Sequence, residues 1–495
     1  MFEVAMQALA ITLDPFRLAM LTLGVCIGLV VGILPGLGGS VSMALVLPFI
    51  FGRDPYAAMA LLIGAGAVCV TSGTITSILF GIPGTVGSMA TIVDGYPMAR
   101  RGEAGRAIGG AVMASIIGGV LGAVCLILIL PIGKPLVLLL GSPELLIMSI
   151  LGVTIVAILA GKTPLKGVTA AGIGLMLAAI GSIPGNFTNF RYTFHIPYLF
   201  DGIPLVVVAL GIFAIPEVMD LLIRGTQIAY KPNLGSGMRQ GIKDTFTHIG
   251  LVVRCAFLGG FIGFVPGLGS SVANWFAYGH AVSSGKDRDN FGKGDIRGVL
   301  APEAANNAST GGALIPTILF GIPGSGMMAL LLGGFLMLGI WPGPPMLTEH
   351  LDITYSLVWS LALANIIAGI LCLVLARPLS RITTIPIHYL APFVLMAVVL
   401  GAFQSTRNWG DLIALLALGI LGWFMKQYGW PRPPMLVGFI LGGIIERYLF
   451  LSVTRYGAEW LLHPGVIIII LASVAVVFLM TRWQTHQPTT KGSEG

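Results

Sequence analysis

Charge is what this 495-residue chain lacks most. Only 9% of its residues are Asp, Glu, Lys or Arg, against 56% hydrophobic, whereas a soluble domain carries about 25% charged residues. So few charges cannot solvate the surface of a water-soluble protein, and the mean hydropathy of +0.94 agrees. Cysteine is also scarce. Cys26, Cys69, Cys125, Cys255 and Cys372 all lie in apolar runs without CxxC spacing, which argues against a zinc or redox motif and leaves them as small buried hydrophobes. No Lys-Ser/Thr pair follows either of the glycine-rich turns described below, which excludes a Walker A loop. A Ser-His-Asp arrangement and paired catalytic carboxylates are missing too, and His195, His248, His350, His388 and His463 are scattered. His280 follows Trp275, Phe276 and Tyr278 and reads as interfacial. The net charge of +7 comes from Lys and Arg in short loops, where it orients a membrane protein rather than binding nucleic acid. The first charges are Glu3 and Asp14, not a basic segment, so no cleaved signal peptide is expected.

What the chain has instead is a series of apolar runs of 13 to 27 residues, at 104–130, 145–159, 205–223, 355–376, 412–424 and 466–480. Together they predict an all-α polytopic membrane protein. Two unusual motifs each occur twice. GILPGLGGSVS at 32–42 returns as GFVPGLGSSVA at 263–273, 231 residues later, and ILFGIPG at 78–84 returns unchanged at 318–324, 240 residues later. Gly152, Gly161 and Pro184 match Gly401, Gly410 and Pro433 at a displacement of 249.

The expected organisation is therefore two homologous halves, 1–223 and 248–455. A polar linker at 224–247 joins them, an extra C-terminal membrane helix follows at 456–484, and 485–495 is a disordered tail. Loop charge argues that the repeat is inverted. The loop holding Arg100, Arg101 and Arg106 is basic while its counterpart at 342–352 has no Lys or Arg; the loop holding Lys286, Arg288, Lys293 and Arg297 is basic while its counterpart has only Arg53. Equivalent loops of opposite charge bias belong on opposite sides of the membrane. Both basic loops and the linker are then cytoplasmic, with the N-terminus external and the C-terminus internal. Arg191, Arg407, Arg447 and Arg455 run against this bias.

Pro and Gly inside an apolar run free backbone N–H and C=O groups, which survive at membrane depth only when buried in protein or lining a wet cavity. Broken segments at matching places in two halves mark the binding site of a secondary transporter, through re-entrant or broken helices. Each restarting helix offers free N–H groups and a positive dipole end to an anion. The candidate anion-binding residues are Gly36, Gly38, Gly39 and Ser40 in the first turn and Gly84 and Thr85 in the second. Their counterparts are Gly267, Gly269, Ser270 and Ser271, then Gly324 and Ser325, with Asn274 close behind. The bland alternative is that these glycines only permit tight helix packing.

The second half adds APEAANNASTGG at 301–312, where the first half reads LLIGAGAVCVTS. Asn306 and Asn307 can donate to a carboxylate or accept from the shell of a coupling cation. Glu303 has two readings: an intramembrane cation or proton ligand, or a helix cap at the membrane surface.

These segments, with GTVGSMATIVDGYPMARRGEAGRA at 84–107, APEAANNA at 301–308, LFGIPGSGMMALLLGGF at 319–335 and PGP at 342–344, resemble the large membrane subunit of the tripartite tricarboxylate transporters, the TctA family. The resemblance runs from Gly24 to about Leu451. It implies a non-enzymatic, multi-pass protein of a bacterial inner membrane, working with a small four-helix membrane subunit and a periplasmic solute-binding protein that delivers a carboxylate such as citrate. It implies symport driven by an ion gradient, Na⁺ or H⁺, and no other cofactor. An anion channel without cation coupling is the alternative from another class.

Overall fold

A computed structural model describes residues 1–34, 37–159, 163–183, 186–224, 237–285, 287–382 and 387–471. The first half holds α1 (Phe2–Thr12), α2 (Pro15–Ile33), α3 (Gly39–Val46), α4 (Pro55–Ala67), α5 (Cys69–Phe80), α6 (Met89–Arg100), α7 (Ala104–Leu138), α8 (Ser142–Leu159) and α9 (Pro164–Ala178). A short hairpin, β1 (Gly181–Ile183) and β2 (Asn186–Arg191), precedes α10 (Leu205–Ala209), a π-helical turn (Leu210–Ala214) and α11 (Ile215–Arg224). The second half runs α12 (Met238–Thr247), α13 (Ile249–Phe264), α14 (Gly269–Ser284), α15 (Arg297–Phe320), α16 (Gly326–Met337), α17 (Pro344–Leu347), α18 (Leu351–Val374), α19 (Ala376–Ile382), α20 (Ile387–Thr406), α21 (Trp409–Gln427) and α22 (Arg432–Tyr456). Among the described residues, seven helices are long and apolar enough to cross a membrane, eight if α12 and α13, bent by 78°, count as one span.

Local chemistry fixes the matching ends. Asp14 and Asp54 cap α2 and α4 by accepting from backbone N–H groups of the first turn, each with Pro at the first helical position. α5 and α15 end on Gly81 and Gly321, both at φ +68°, with Pro83 and Pro323 two residues on. Only glycine adopts that left-handed cap without strain, and the proline stops the helix from resuming.

The halves interlock. α7 of the first half lies against α15 and α13 of the second, while α18 of the second lies against α1, α2 and α4 of the first. α22 packs on α8 and α9, and reciprocally α20 and α21 pack on α10, the π turn and α11. Small residues permit the closest crossings. A Cβ on Gly118 or Gly122 of α7 would meet the backbone of Ala304 or Ala308, and one on Gly259 or Gly263 of α13 would collide with that of Ala305 or Ser309. α15 is thus clasped on two sides. The equivalent glycines Gly28 and Gly32 of α2 press on the α4–α5 span at Ala65 and Cys69.

Ion pairs cross between the halves as well. Glu217 of α11 meets Lys426 at 2.6 Å and Arg432 at 2.8 Å, and Arg191 of β2 meets Glu446 of α22 at 2.5 Å.

One expectation changes. The chain is nearly all-helical rather than all-α: β1 and β2 pair antiparallel, Gly181 opposite Arg191. Gly181 enters the hairpin at φ +110°, and Phe190 stacks on Phe200 with ring centroids 4.6 Å apart. Part of the expected linker is the helix α12, held on α7 by Arg106 to Asp244 at 2.6 Å and by the Thr245 hydroxyl to the Gly110 carbonyl; residues 225–236 lie outside the described residues. Of the expected extra helix at 456–484, helix is described over 464–471, and 472–495, including the expected tail, lies outside the described residues.

Candidate functional site

The four interrupted segments meet in a reciprocal pattern. α3 packs on α16, and α14 packs on the turn Val86–Ser88 that leads into α6. The PGLG helix start of each half therefore faces the GIPG restart of the other. The correspondence holds residue by residue. A Cβ on Gly39 would come within 2.9 Å of Met327 Sδ and 2.8 Å of the Gly66 carbonyl. A Cβ on Gly87 would come within 2.7 Å of Ser270 Oγ and would collide with Asn306 Oδ1. Residues 39, 327 and 66 are the repeat equivalents of 270, 87 and 306. In addition, Ser40 Oγ lies against Gly326, beside Phe213 of the π turn.

Within the second half the turns are tied directly, as Gly267 N–H donates to the Gly324 carbonyl at 3.0 Å. Within the first, Gly84 packs backbone to backbone on Gly73, Gly84 N–H donates to Ser77 Oγ at 3.3 Å, and Thr76 Oγ1 donates to the Ile33 carbonyl at 2.8 Å. The paired turns differ in conformation. Gly269 is left-handed at φ +68°, whereas its equivalent Gly38 is extended at φ −91°, ψ −179°. Ser325 caps α16 by accepting from Met328 N–H. Thr85 leads the first GIPG restart, and its N–H donates to Ser88 Oγ at 3.3 Å. Ser271 is half-buried one residue beyond Ser270, and Gly36 lies outside the described residues.

The frame is symmetric but its chemistry is not. Asn306, Asn307 and Glu303 occupy the places of Gly66, Ala67 and Ile63, and all three are buried. Asn274 and Asn306 are fully buried, and neither amide oxygen nor amide nitrogen of either has a hydrogen-bond partner among the described residues. Buried amides are ordinarily satisfied, so such groups are candidates to face a ligand or a bound water. Asn306 stands next to Ser270 and Gly87, beside the helix starts expected to hold an anion.

Asn307 differs. Its Nδ2 donates to Thr71 Oγ1 at 2.8 Å and Asn365 Oδ1 at 2.7 Å, while its own Oδ1 has no partner among the described residues. Glu303 is not a surface cap. It is fully buried inside α15 and accepts from Thr91 at 2.6 Å, Thr74 at 2.7 Å and Ser115 at 3.1 Å, hydroxyls of α6, α5 and α7.

The residues that sequence reasoning missed are these partners: Thr71, Thr74, Thr91, Ser115 and Asn365. The run VTSGTITS at 70–77 is a visible signal, because five hydroxyls on one apolar helix exceed what back-bonding to the preceding turn requires. Asn365, a lone amide in a 24-residue apolar helix, is a second.

The chain matches the Tripartite tricarboxylate transporter TctA family over residues 18–437. It belongs to that family. Membership implies a role in a tripartite tricarboxylate transporter, a multi-pass membrane system with partner subunits. The chain is also similar to two Agrobacterium vitis proteins. One is an uncharacterized 52.8 kDa protein in the TAR-I ttuC' 3' region, 32% identical over 441 residues, covering 88% of this chain and 87% of that protein. The other is an uncharacterized protein in the TAR-II ttuC' 3' region, 32% identical over 225 residues, covering 43% of this chain and 93% of that protein. No solved structure matches.

Proposed function

We propose that this TctA-family chain is the membrane subunit that carries a carboxylate inward against its gradient, coupled to a cation, and is not an enzyme. The observation that carries the reading is the pair of buried, unpartnered amides of Asn274 and Asn306 among four helix starts contributed by both halves. Amide N–H groups, backbone N–H groups and the Ser40, Ser270 and Ser271 hydroxyls suit carboxylate oxygens. The free Oδ1 of Asn307 and the Glu303 carboxyl, one helical turn apart on α15, serve the coupling ion, Na⁺ or H⁺.

The repeat is inverted in this reading, as the opposed loop charges support, and alternating access moves one set of interlocked helices against the other. The chain sits in a bacterial inner membrane. A small four-helix subunit accompanies it, and a periplasmic binding protein hands over citrate or a related di- or monocarboxylate.

The test is uptake of labelled citrate, succinate and a monocarboxylate into proteoliposomes holding the chain with its small subunit, with and without the binding protein, under imposed Na⁺ or proton gradients. Accumulation above the outside concentration that requires a gradient and the binding protein is expected. Equilibration without accumulation would replace the transporter with a channel.

A further inference from the structure

We infer that Glu303 is the site of the coupled ion and that this ion is a proton; the inference rests on the transport reading above. Its three partners are all hydroxyls, contributed by three different helices. A hydroxyl can donate to an ionised carboxylate or accept from a protonated carboxyl. Thr74 Oγ1 also lies 3.3 Å from the Val70 carbonyl. When the protonated carboxyl donates to Thr74, the threonine hydrogen therefore has an acceptor of its own. Both states are satisfied without rearranging a helix.

A metal cation is less well served. Hydrogen bonds of 2.6–3.1 Å already occupy three of the carboxylate's about four lone-pair directions, and a metal ion calls for several oxygen ligands of its own.

The charged groups of the neighbouring elements are engaged elsewhere. Asp94 of α6 accepts from Tyr278 of α14 and from the amides of Gly294 and Asp295, and Arg100 stacks on Tyr96. Arg106 of α7 pairs with Asp244, Arg254 of α13 donates to the Gly250 carbonyl, and Arg297 of α15 itself pairs with Asp295. Glu144 of α8 meets His463, and Asp352 of α18 accepts from Tyr56. Lys134 of α7 and His280 of α14 make no bond to Glu303 either, so among the described residues no cation neutralises it. A fully buried carboxylate without a counter-charge is costly at membrane depth, so a proton must accompany it whenever the site is closed.

The step is a simple exchange. Water on the open side gives a proton to a Glu303 carboxyl oxygen and water on the other side removes it, with no bond to the carried molecule. An anion bound at Asn306, about one helical turn away, favours the protonated form by like-charge repulsion, which links the two events.

The experiment uses the reconstituted system with labelled citrate and succinate as probes, in sodium-free buffer. An inward gradient of one pH unit limits accumulation to about tenfold per coupled proton. Wild type is expected to accumulate under that gradient. Glu303→Gln, which fixes the neutral form, is expected to lose accumulation, its inside-to-outside ratio falling to about 1. It should still exchange labelled for unlabelled probe, at a rate reduced by up to about tenfold. Thr91→Val removes one donor to the ionised form and should move the pH dependence of uptake upward by about half to one unit. A structural role would leave that profile in place.

Accumulation retained by Glu303→Gln, wild-type accumulation that needs Na⁺ instead of the pH gradient, or an unmoved profile in Thr91→Val would each overturn the proton assignment. Loss of both exchange and accumulation in a folded Glu303→Gln protein would also overturn it. Absence of wild-type exchange would instead overturn the transport reading itself.

Discussion

Asn306 and Asn307 are neighbours on one buried helix, yet the Asn307 Nδ2 ties α15 to Thr71 and Asn365 while the Asn306 amide has no partner among the described residues, so truncating each to Ala should have opposite effects on stability. Asn307→Ala removes two donated hydrogen bonds, of 2.8 and 2.7 Å, and leaves Thr71 and Asn365 oxygens short of a donor. The cost is about 2–4 kcal/mol. Asn306→Ala removes an amide that has no partner among the described residues. Burying such a group costs about 1–3 kcal/mol, and the cavity left by three heavy atoms returns about 1 kcal/mol of penalty. The net change is about 0–2 kcal/mol in favour of the variant. Its uptake should suffer all the same, since losing a hydrogen bond to a charged carboxylate costs about 1.5–3 kcal/mol, roughly 10- to 150-fold in affinity.

Cys69, Cys255 and Cys372 are buried, whereas Cys26 is exposed and Cys125 partly so; with Cys26 and Cys125 replaced by Ser, a thiol-reactive dye reports unfolding. Asn306→Ala should melt at or above wild type, and Asn307→Ala clearly below it. The transported carboxylate at about 100 times its Kd should stabilise wild type by about 2.7 kcal/mol and Asn306→Ala far less. Equal destabilisation of the two variants, with uptake intact in Asn306→Ala, would show that both amides are structural and would refute the site.

Two further variants test the frame. Glu217→Gln leaves Arg432 facing a neutral group across the junction of the halves while Lys426 keeps its ion pair with Asp220 at 2.7 Å, so the loss should be about 1.5–3 kcal/mol, read by the same dye. Ser40→Cys with Gly326→Cys should form a cross-link between the halves on mild oxidation. A Cβ at 326 stands 3.2 Å from Ser40 Oγ, close to the distance of about 3 Å between a Cβ and the partner sulfur that an S–S bond of about 2.05 Å sets. The linked protein should be arrested for uptake until reduced. Together with the uptake, Glu303 and Asn306/Asn307 tests, these measurements cover site, coupling and fold separately.

The repeat was legible because it is written in residues with few substitutes. Gly81 and Gly321 must take a left-handed cap, and the prolines after them must stop a helix, so the two GIPG turns read the same in sequence and in structure. Composition announced the membrane class as plainly. The interlocking of the halves was not legible. The contact of Gly118 with Ala304, or of Glu217 with Arg432, joins segments about 200 residues apart, and small residues on an apolar helix do not name the helix they will meet. The site was half legible for the same reason. Asn274, Asn306 and Asn307 stood out as amides in apolar surroundings, whereas Thr74, Thr91 and Ser115 look like ordinary helix hydroxyls until the fold brings Glu303 among them.

That asymmetry has a physical logic. Matched halves with crossed contacts let two arrangements of the same helices bury similar surfaces, so their free energies can differ by only the few kcal/mol that a ligand can tip. A second set of amides at Gly66 and Ala67 would add unsatisfied polar groups in whichever arrangement left them without ligand, at about 1–3 kcal/mol each. In the proposed reading, placing the amides and Glu303 in one half alone keeps a single site at the junction of the halves. It also makes a prediction about sequence itself: converting Gly66 to Asn should destabilise the protein without creating a second site, because the Cβ of any side chain at 66 runs into Met43.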